Sequence, residues 1–391
     1  MRIAHLADLH LGKVFHGTSL VEDQHFVLAK ALEALRGLDP DVVVLAGDLY
    51  DRALPGREAV RLLDGFLREV NQGLRVPVIA IAGNHDSGDH LGFGSWLFSE
   101  GDVHVRGRVE PEVQPITLHD AAGEVTFYPL PFVEPEGARE MLHLGGSTES
   151  VLTHRDIVRA LLAQARAHAE AHAVGRTVVV AHGFVQGHRP PEESRRSERT
   201  LYLGGAGAVP ASDFQGFGYT ALGHLHRPQD VSPDGRVRYA GSLLKYSFDE
   251  APHSKGLTLA TLGPDNSLQT EHIPLAPRRD LALLRGSLEA LLRDPAFASA
   301  EGCFVCAELT DLPPPPQAME RLRARFPFAA ELRFATLGPV DVAALAGAAL
   351  AVQDPAQVFE AFFARYAGTP PTEAEQAIFR EALAAVEAPP A

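Results

Sequence analysis

Five stretches of the chain share one plan, an apolar run rich in β-branched residues that stops and then presents Asp, Asn or His. They span residues 3–10, 42–48, 78–86, 178–182 and 219–226. A short, continuous apolar run flanked by glycine predicts a strand buried on both faces. Each run therefore carries its polar residues to a sheet edge. Between the first three runs the apolar period becomes helical. Residues 23–38 place Phe26, Ala29, Leu32 and Leu35 on one stripe, and residues 55–73 turn Val60, Leu63, Phe66, Leu67 and Val70 inward. Strands alternating with helices of this length predict parallel βαβ units. From residue 101 to 133 short strand-like pieces broken by Gly and Pro predict a second sheet, including one at 103–105. A long helix follows over 153–174, with Thr153 and Asp156 placed as a capping box. The expected fold class is α/β, a two-sheet sandwich flanked by helices over residues 1–277, with its site at one edge.

Residues 278–338 read as a separate small α/β unit suited to capping a cleft. It comprises an amphipathic stretch at 281–293, a strand at 303–309, a helix at 317–326 and a strand at 330–334. Arg321, Arg323 and Arg325 on that helix are either solvated surface or a DNA guide. Residues 339–391 read as an all-helical tail. It comprises an Ala-rich helix at 340–352, a helix after Asp354-Pro355 bearing Phe359, Phe362, Phe363 and Tyr366, and a third helix opened by a Thr372 to Glu375 capping box. Such a stripe usually packs within its own domain, but these short helices have little core to join, which leaves internal packing and partner docking both open.

Length changes this picture little: 391 residues suit two or three domains. No apolar run approaches the roughly 20 residues of a membrane span, and the chain enters a strand at once rather than a signal peptide. A cytoplasmic protein with no membrane partner is expected. The two cysteines, Cys303 and Cys306, exclude a disulfide scaffold. Their C-x-x-C spacing falls within an apolar strand-like run, which favours packing over redox or zinc chemistry. The net charge of −15 has the wrong sign for generic nucleic-acid affinity. Any grip on DNA must come from local basic clusters or a partner subunit. One such cluster is Arg189, Arg195, Arg196 and Arg199, in a mixed-charge loop after His182. It reads either as solvated surface or as a phosphate-contacting loop.

The delivered polar residues are Asp8, His10, Asp48, Asn84, His182, His224 and His226. All bind divalent cations through oxygen or imidazole nitrogen. In an extended chain i and i+2 share a side, so Asp8 with His10, and His224 with His226, would each chelate from one strand end. A lone Asp or His after a strand is more often a cap or turn residue, yet five such endings in one chain point to a common site. Seven candidates exceed what one ion needs, so two adjacent metals are expected, with Asp48 placed to bridge them. His85 follows the candidate ligand Asn84 by one residue, so its side chain is expected to point away and act as general acid.

D-x-H, G-D, G-N-H-D, H and G-H-x-H in this order resemble the calcineurin-like metallophosphoesterase signature. DLHLGK at 8–13, GDLYD at 47–51, GNHDS at 83–87, LPFVEP at 130–135, GHLHRPQ at 223–229 and YAGSLLKYSFDE at 239–250 narrow the resemblance to SbcD-type nuclease subunits. The resemblance implies a metallophosphoesterase sandwich. It also implies Asp8, His10 and His226 on one ion, Asn84, His182 and His224 on the other, and Asp48 bridging; mixed O and N ligation suits Mn²⁺, with Mg²⁺ as the alternative. Asp51 occupies the place of a second histidine in relatives from archaea and eukaryotes, so it and Asp86 read as residues that orient ligands. The implied reaction is Mn²⁺-dependent 3′-to-5′ exonuclease and structure-selective endonuclease action on DNA. The implied partners are the ATPase subunit SbcC, gripped by the tail, and a second copy through the nuclease domain. A small-molecule phosphodiesterase or phosphatase shares the metal site but leaves the capping unit and tail without a role, and a non-catalytic DNA-tethering scaffold has no need of an intact ligand set.

Overall fold

The strand-like runs line up side by side. β1 (Arg2–Leu6), β2 (Val42–Ala46), β3 (Val78–Ile81) and β4 (Val103–Arg106) pair in parallel. A second sheet is built around β5 (Ile116–Asp120), β6 (Gly123–Leu130), β7 (Thr177–His182) and β8 (Tyr219–Gly223), parallel except for the β5–β6 hairpin. β9 (Gln229–Asp230) and β10 (Val237–Tyr239) extend it beyond β8. β11 (Gly256–Leu262) and β12 (Leu268–Pro274) return to the first sheet as an antiparallel hairpin beside β1. The computed structural model describes residues 1–134, 138, 153–187, 192, 208–311, 313–335, 355–367 and 369–387. The chain forms two compact units, Met1–Arg278 and Arg279–Ala391.

The period of two along each strand assigns its side chains to layers. Val42, Val44 and Ala46 of β2 enter the layer between the sheets, with Ile3, Ile79, Phe127, Val178 and Val180. Val179 and Ala181 face the other side of their sheet, where Ile157, Leu161, Leu162 and Ala165 of α3 (His154–Ala171) cover them. Thr153 and Asp156 close the expected capping box at the start of α3. Burying one such apolar side chain stabilises the fold by about 1.5–3 kcal/mol, so these layers account for the sandwich without help from its polar residues. Burying Asp and His at the strand ends is a cost.

Four expectations need correction. On α1 (Val21–Leu38) the buried apolar residues are Val27, Leu28, Ala31 and Leu35, while Ala29 is exposed. Periodicity fixes spacing along a helix but leaves its phase open where apolar residues flank the stripe on both sides. On α2 (Arg57–Arg68) Leu63 and Phe66 are buried, whereas Val60 is exposed. β4 belongs to the first sheet rather than the second. The short helices Gly88–Gly92 and Ser95–Phe98 supply its crossover and are too brief to show a helical period. In the second unit, residues 281–293 split into β13 (Leu281–Gly286) and α4 (Leu288–Arg293).

That second unit is a parallel sheet in the order β13, β14 (Phe304–Leu309), β15 (Ala329–Phe334), packed with α4 and α5 (Ala318–Arg325). Cys306 is buried in its middle strand, in keeping with packing. Arg325 pairs with Glu301 and donates to the carbonyls of Leu291 and Asp294, so its guanidinium is committed to this fold. In the tail, α6 (Pro355–Ala367) and α7 (Glu373–Glu387) are described. Thr372 and Glu375 close the capping box, and Phe359 stacks on Phe379 with centroids 4.2 Å apart. The 340–352 helix and the side chains of Phe362 and Tyr366 lie outside the described residues.

Candidate metal centre

All seven candidate ligands converge at the C-terminal ends of β1, β2, β3, β7 and β8. Strand alternation is not what unites them. Asp8, His10, Asp48 and His224 have φ of +54°, +43°, +50° and +112°, so the Asp8/His10 pair stands on left-handed turns rather than on an extended strand. Non-glycine residues held in this region store about 1–3 kcal/mol of strain each and concentrate at functional sites. Backbone must also approach closely here. A Cβ on Gly83 would lie 2.2 Å from Asp48 Oδ1, and one on Gly223 2.0 Å from the Ala46 carbonyl.

The geometry separates into two clusters with Asp48 between them. Its Oδ2 lies 3.6 Å from His10 Nε2, and its Oδ1 lies 3.4 Å from His182 Nε2. On the first side, the Nε2 atoms of His10 and His226 face each other at 3.1 Å, and Asp8, His10 and His226 offer ligand atoms within 4.8 Å of one another. On the second side, Asn84 Oδ1 is 3.0 Å from both His182 Nε2 and His224 Nδ1. Asp8 reaches both sides, because it also groups with Asp48 and His182. Its Oδ1 accepts the His224 backbone N–H at 2.9 Å.

The donor set fits divalent cations. Among the described residues, Asp8 Oδ2, a candidate ligand oxygen, is buried without a hydrogen-bond partner, and buried polar atoms are rarely left so without reason. Two imidazole nitrogens 3.1 Å apart are likewise a natural place for a cation to intervene. The ring orientations are set from behind. The Ala46 carbonyl accepts from His182 Nδ1 at 2.8 Å, and Glu250 Oε1 accepts from His226 Nδ1 at 3.2 Å. Each acceptor carries no proton, so each Nδ1 donates and Nε2 is turned to the site.

Electrostatics follow from burial. Burial pushes the Asp8 carboxyl up to about 7 against the pull of His182 and His226. Burial also works to raise Asp48, but the facing His182, His10 and His85 hold it well below the usual carboxylate range. Burial would lower His182, yet Asp48 and then Asp8 push it up to about 9. His10 and His224 are held well below the ordinary histidine value, chiefly by burial. Without a cation, positive charge thus gathers on His182, between the two carboxylates.

His85 stands on the His10 side, away from Asn84. Its Nδ1 donates to the Asp51 carbonyl at 2.9 Å, its Nε2 is 4.0 Å from Asp48 Oδ2, and its backbone N–H donates to Asp48 Oδ1 at 2.8 Å. The Asp51 carboxylate takes Lys13 Nζ at 2.7 Å and lies 3.7 Å from His10 Nδ1. Asp86 accepts the N–H groups of Leu49, Tyr50 and Gly83 at 2.9–3.0 Å, which ties the Asp48 turn to the Asn84 turn. Burial and the nearby Asp48 push its carboxyl up to about 7. Arg189, Arg195, Arg196 and Arg199 lie outside the described residues.

Residues 1–228 match the family described as calcineurin-like phosphoesterase. Residues 277–366 match one described as the type 5 capsule protein repressor C-terminal domain. The chain is 30% identical over 327 residues to the SbcD subunit of the nuclease SbcCD of Staphylococcus epidermidis, covering 84% of this chain and 83% of that one. The chain belongs to the SbcD family of calcineurin-like phosphoesterases. Among solved structures it is similar to TT1561 of Thermus thermophilus, with TM-score 0.38 and 10% identity over 69% of this chain and 98% of that one. It is also similar to a dimetal phosphatase from Danio rerio, with TM-score 0.41 and 14% identity over 71% and 98%.

Membership in a phosphoesterase family and the Asp/His clusters together give a metal-dependent phosphoesterase. Reading the strand ends missed three of its residues. Glu250 backs His226, Lys255 Nζ lies 2.5 Å from Glu250 Oε2, and Tyr246 packs its ring on His10 and His226 at 5.2 and 5.5 Å. Their signal lay in the stretch from Tyr239 to Lys255, where an acid, a lysine and a tyrosine stand among apolar residues that the structure buries.

Proposed function

We propose that the chain is a DNA nuclease, the SbcD subunit of an ATP-dependent SbcC–SbcD complex, cleaving phosphodiesters with two divalent cations, for which Mn²⁺ suits the ligand set. The observation that carries this reading is Asp48, whose two carboxylate oxygens face different clusters. When bound, the ions supply charge neutralisation at the phosphoryl oxygens and a nucleophile at neutral pH. Asp8, His10 and His226 would hold one ion, Asn84, His182 and His224 the other, and Asp48 both. His85, anchored through Nδ1 on the Asp51 carbonyl, keeps Nε2 turned to the site and delivers a proton to the leaving oxygen.

The test is metal-dependent nucleotide release from end-labelled single- and double-stranded DNA, compared with hydrolysis of a cyclic nucleotide and a phosphomonoester. Release from DNA in preference to both small substrates is expected. Preference for a small substrate would make the chain a small-molecule phosphodiesterase or phosphatase, and no hydrolysis at all would leave a DNA-tethering scaffold. In this reading residues 278–338 and the arginine loop serve DNA binding.

The tail, residues 339–391, is the proposed SbcC dock. Phe359 is committed to Phe379 and lies 5.5 Å from Phe363, so docking falls more on neighbouring apolar side chains left open, Val358 at 48% and Ile378 at 67% exposure. Val358→Ser with Ile378→Ser should weaken SbcC binding about thirtyfold, or roughly 2 kcal/mol for lost interface anchors, while helix content and melting temperature hold. Unchanged affinity by calorimetry would move the dock elsewhere.

A second copy of the nuclease domain is proposed at Phe93, Trp96, Leu97 and Phe98. Phe93 and Trp96 are 83% and 75% exposed, and clustered exposed aromatics of this kind mark interaction surfaces. Trp96→Asp should shift the chain from dimer to monomer in light scattering with its metal content intact. A dimer of undiminished stability would place the contact elsewhere.

A further inference from the structure

The two cation positions differ in front, where one has the Asp8 carboxylate and the other the Asn84 amide, and they differ again behind. On the second side, His182 Nδ1 donates to a neutral backbone carbonyl, that of Ala46. On the first side, His226 Nδ1 donates to a carboxylate, that of Glu250, which is wholly buried. A hydrogen bond to an ionised acceptor is roughly twice as strong as one between neutral groups. It also raises the basicity of the opposite imidazole nitrogen, the one offered to the ion. His10, on the same side, has the Asp51 carboxylate 3.7 Å from its Nδ1, beyond hydrogen-bond reach and already paired with Lys13.

Glu250 is itself held tightly. Lys255 Nζ lies 2.5 Å from its Oε2 and also donates to the His226 carbonyl at 2.6 Å and to Ser242 Oγ at 2.9 Å. Ser242 in turn donates its hydroxyl to the Leu244 carbonyl and its N–H to the His226 carbonyl. One lysine therefore grips both the backbone of His226 and the carboxylate behind its ring. A buried ion pair of this kind generally gives no more stability than well-packed apolar residues would, so folding alone does not account for it.

We infer that Glu250 is a positioning residue that tightens the Asp8/His10/His226 cation position beyond what the Asp8 carboxylate gives it, because a carboxylate clamped by Lys255 stands behind His226. This rests on the two-ion reading above. The test titrates Mn²⁺ into the metal-stripped full chain by calorimetry and by the electron paramagnetic resonance signal of free Mn²⁺. The wild type should bind two ions in resolved steps. Glu250→Gln with Lys255→Met removes both charges yet keeps an acceptor for His226 Nδ1–H. It should weaken the tighter step about 10–100-fold, the usual effect of losing a partner behind a ligand, and leave the weaker step in place. Asn84→Ala should do the reverse, losing the weaker step and keeping the tighter.

The melting temperature of the metal-free proteins separates a metal effect from a folding one. Should the double variant not fold, Glu250→Gln alone is titrated with the same expectation. A folded variant with both steps at wild-type affinity, or one that loses the weaker step instead, overturns the inference while the two-ion reading stands. A wild type that binds fewer than two ions defeats that reading itself, whatever the variants do.

Discussion

Asp48→Ala should abolish phosphodiester cleavage and leave the protein with less than half its bound metal. Asp48 presents one oxygen to each cluster, with Oδ2 toward His10 at 3.6 Å and Oδ1 toward His182 at 3.4 Å. Its loss removes a ligand from both ions together and leaves His182 without its main electrostatic partner. The same carboxylate accepts the His85 backbone N–H, so the turn that carries Asn84 and His85 loses an anchor as well. Metal analysis and nuclease assay on the purified variant check this, and undiminished turnover would remove the two-ion account.

His85→Gln should separate chemistry from ligation. The variant is expected to keep both ions and to bind DNA, yet to lose about 10²–10⁴-fold in turnover, the usual worth of general acid catalysis. The expectation follows from placement. The Nδ1 of His85 is tied to the Asp51 carbonyl, and its Nε2 is 4.0 Å from Asp48, on the opposite side of the site from Asn84. Asn84→Ala, one residue earlier, should instead lose metal, because the Asn84 oxygen is 3.0 Å from both His182 and His224. If His85→Gln lost metal as Asn84→Ala does, His85 would be a ligand and the proton-handling role would fall.

The sandwich and its polar strand ends were legible because a strand buried on both faces must be continuously apolar, so Asp48 or His182 interrupts the pattern visibly. The geometry that unites the ligands was not. Asp8 and His10 meet the site through left-handed turns, not through the extended backbone on which i and i+2 share a side. β4 escaped assignment to its sheet because its crossover is two helices of five and four residues, too short for a period to show. Glu250 and Lys255 were missed for a different reason. A buried charge in a loop has no periodic signature, and only the fold brings it behind His226, 24 residues earlier. Phe359 stacks on Phe379 of the neighbouring helix, a pairing that the spacing within one helix does not show.

The central claim is that two cations share Asp48. Crystals of the chain soaked in Mn²⁺ and measured at the manganese absorption edge test it most directly. Two anomalous peaks about 3.5–4 Å apart are expected, one among Asp8, His10 and His226, the other among Asn84, His182 and His224, with Asp48 reaching both. A single peak at full occupancy, or two peaks with Asp48 bound to only one, would contradict the account.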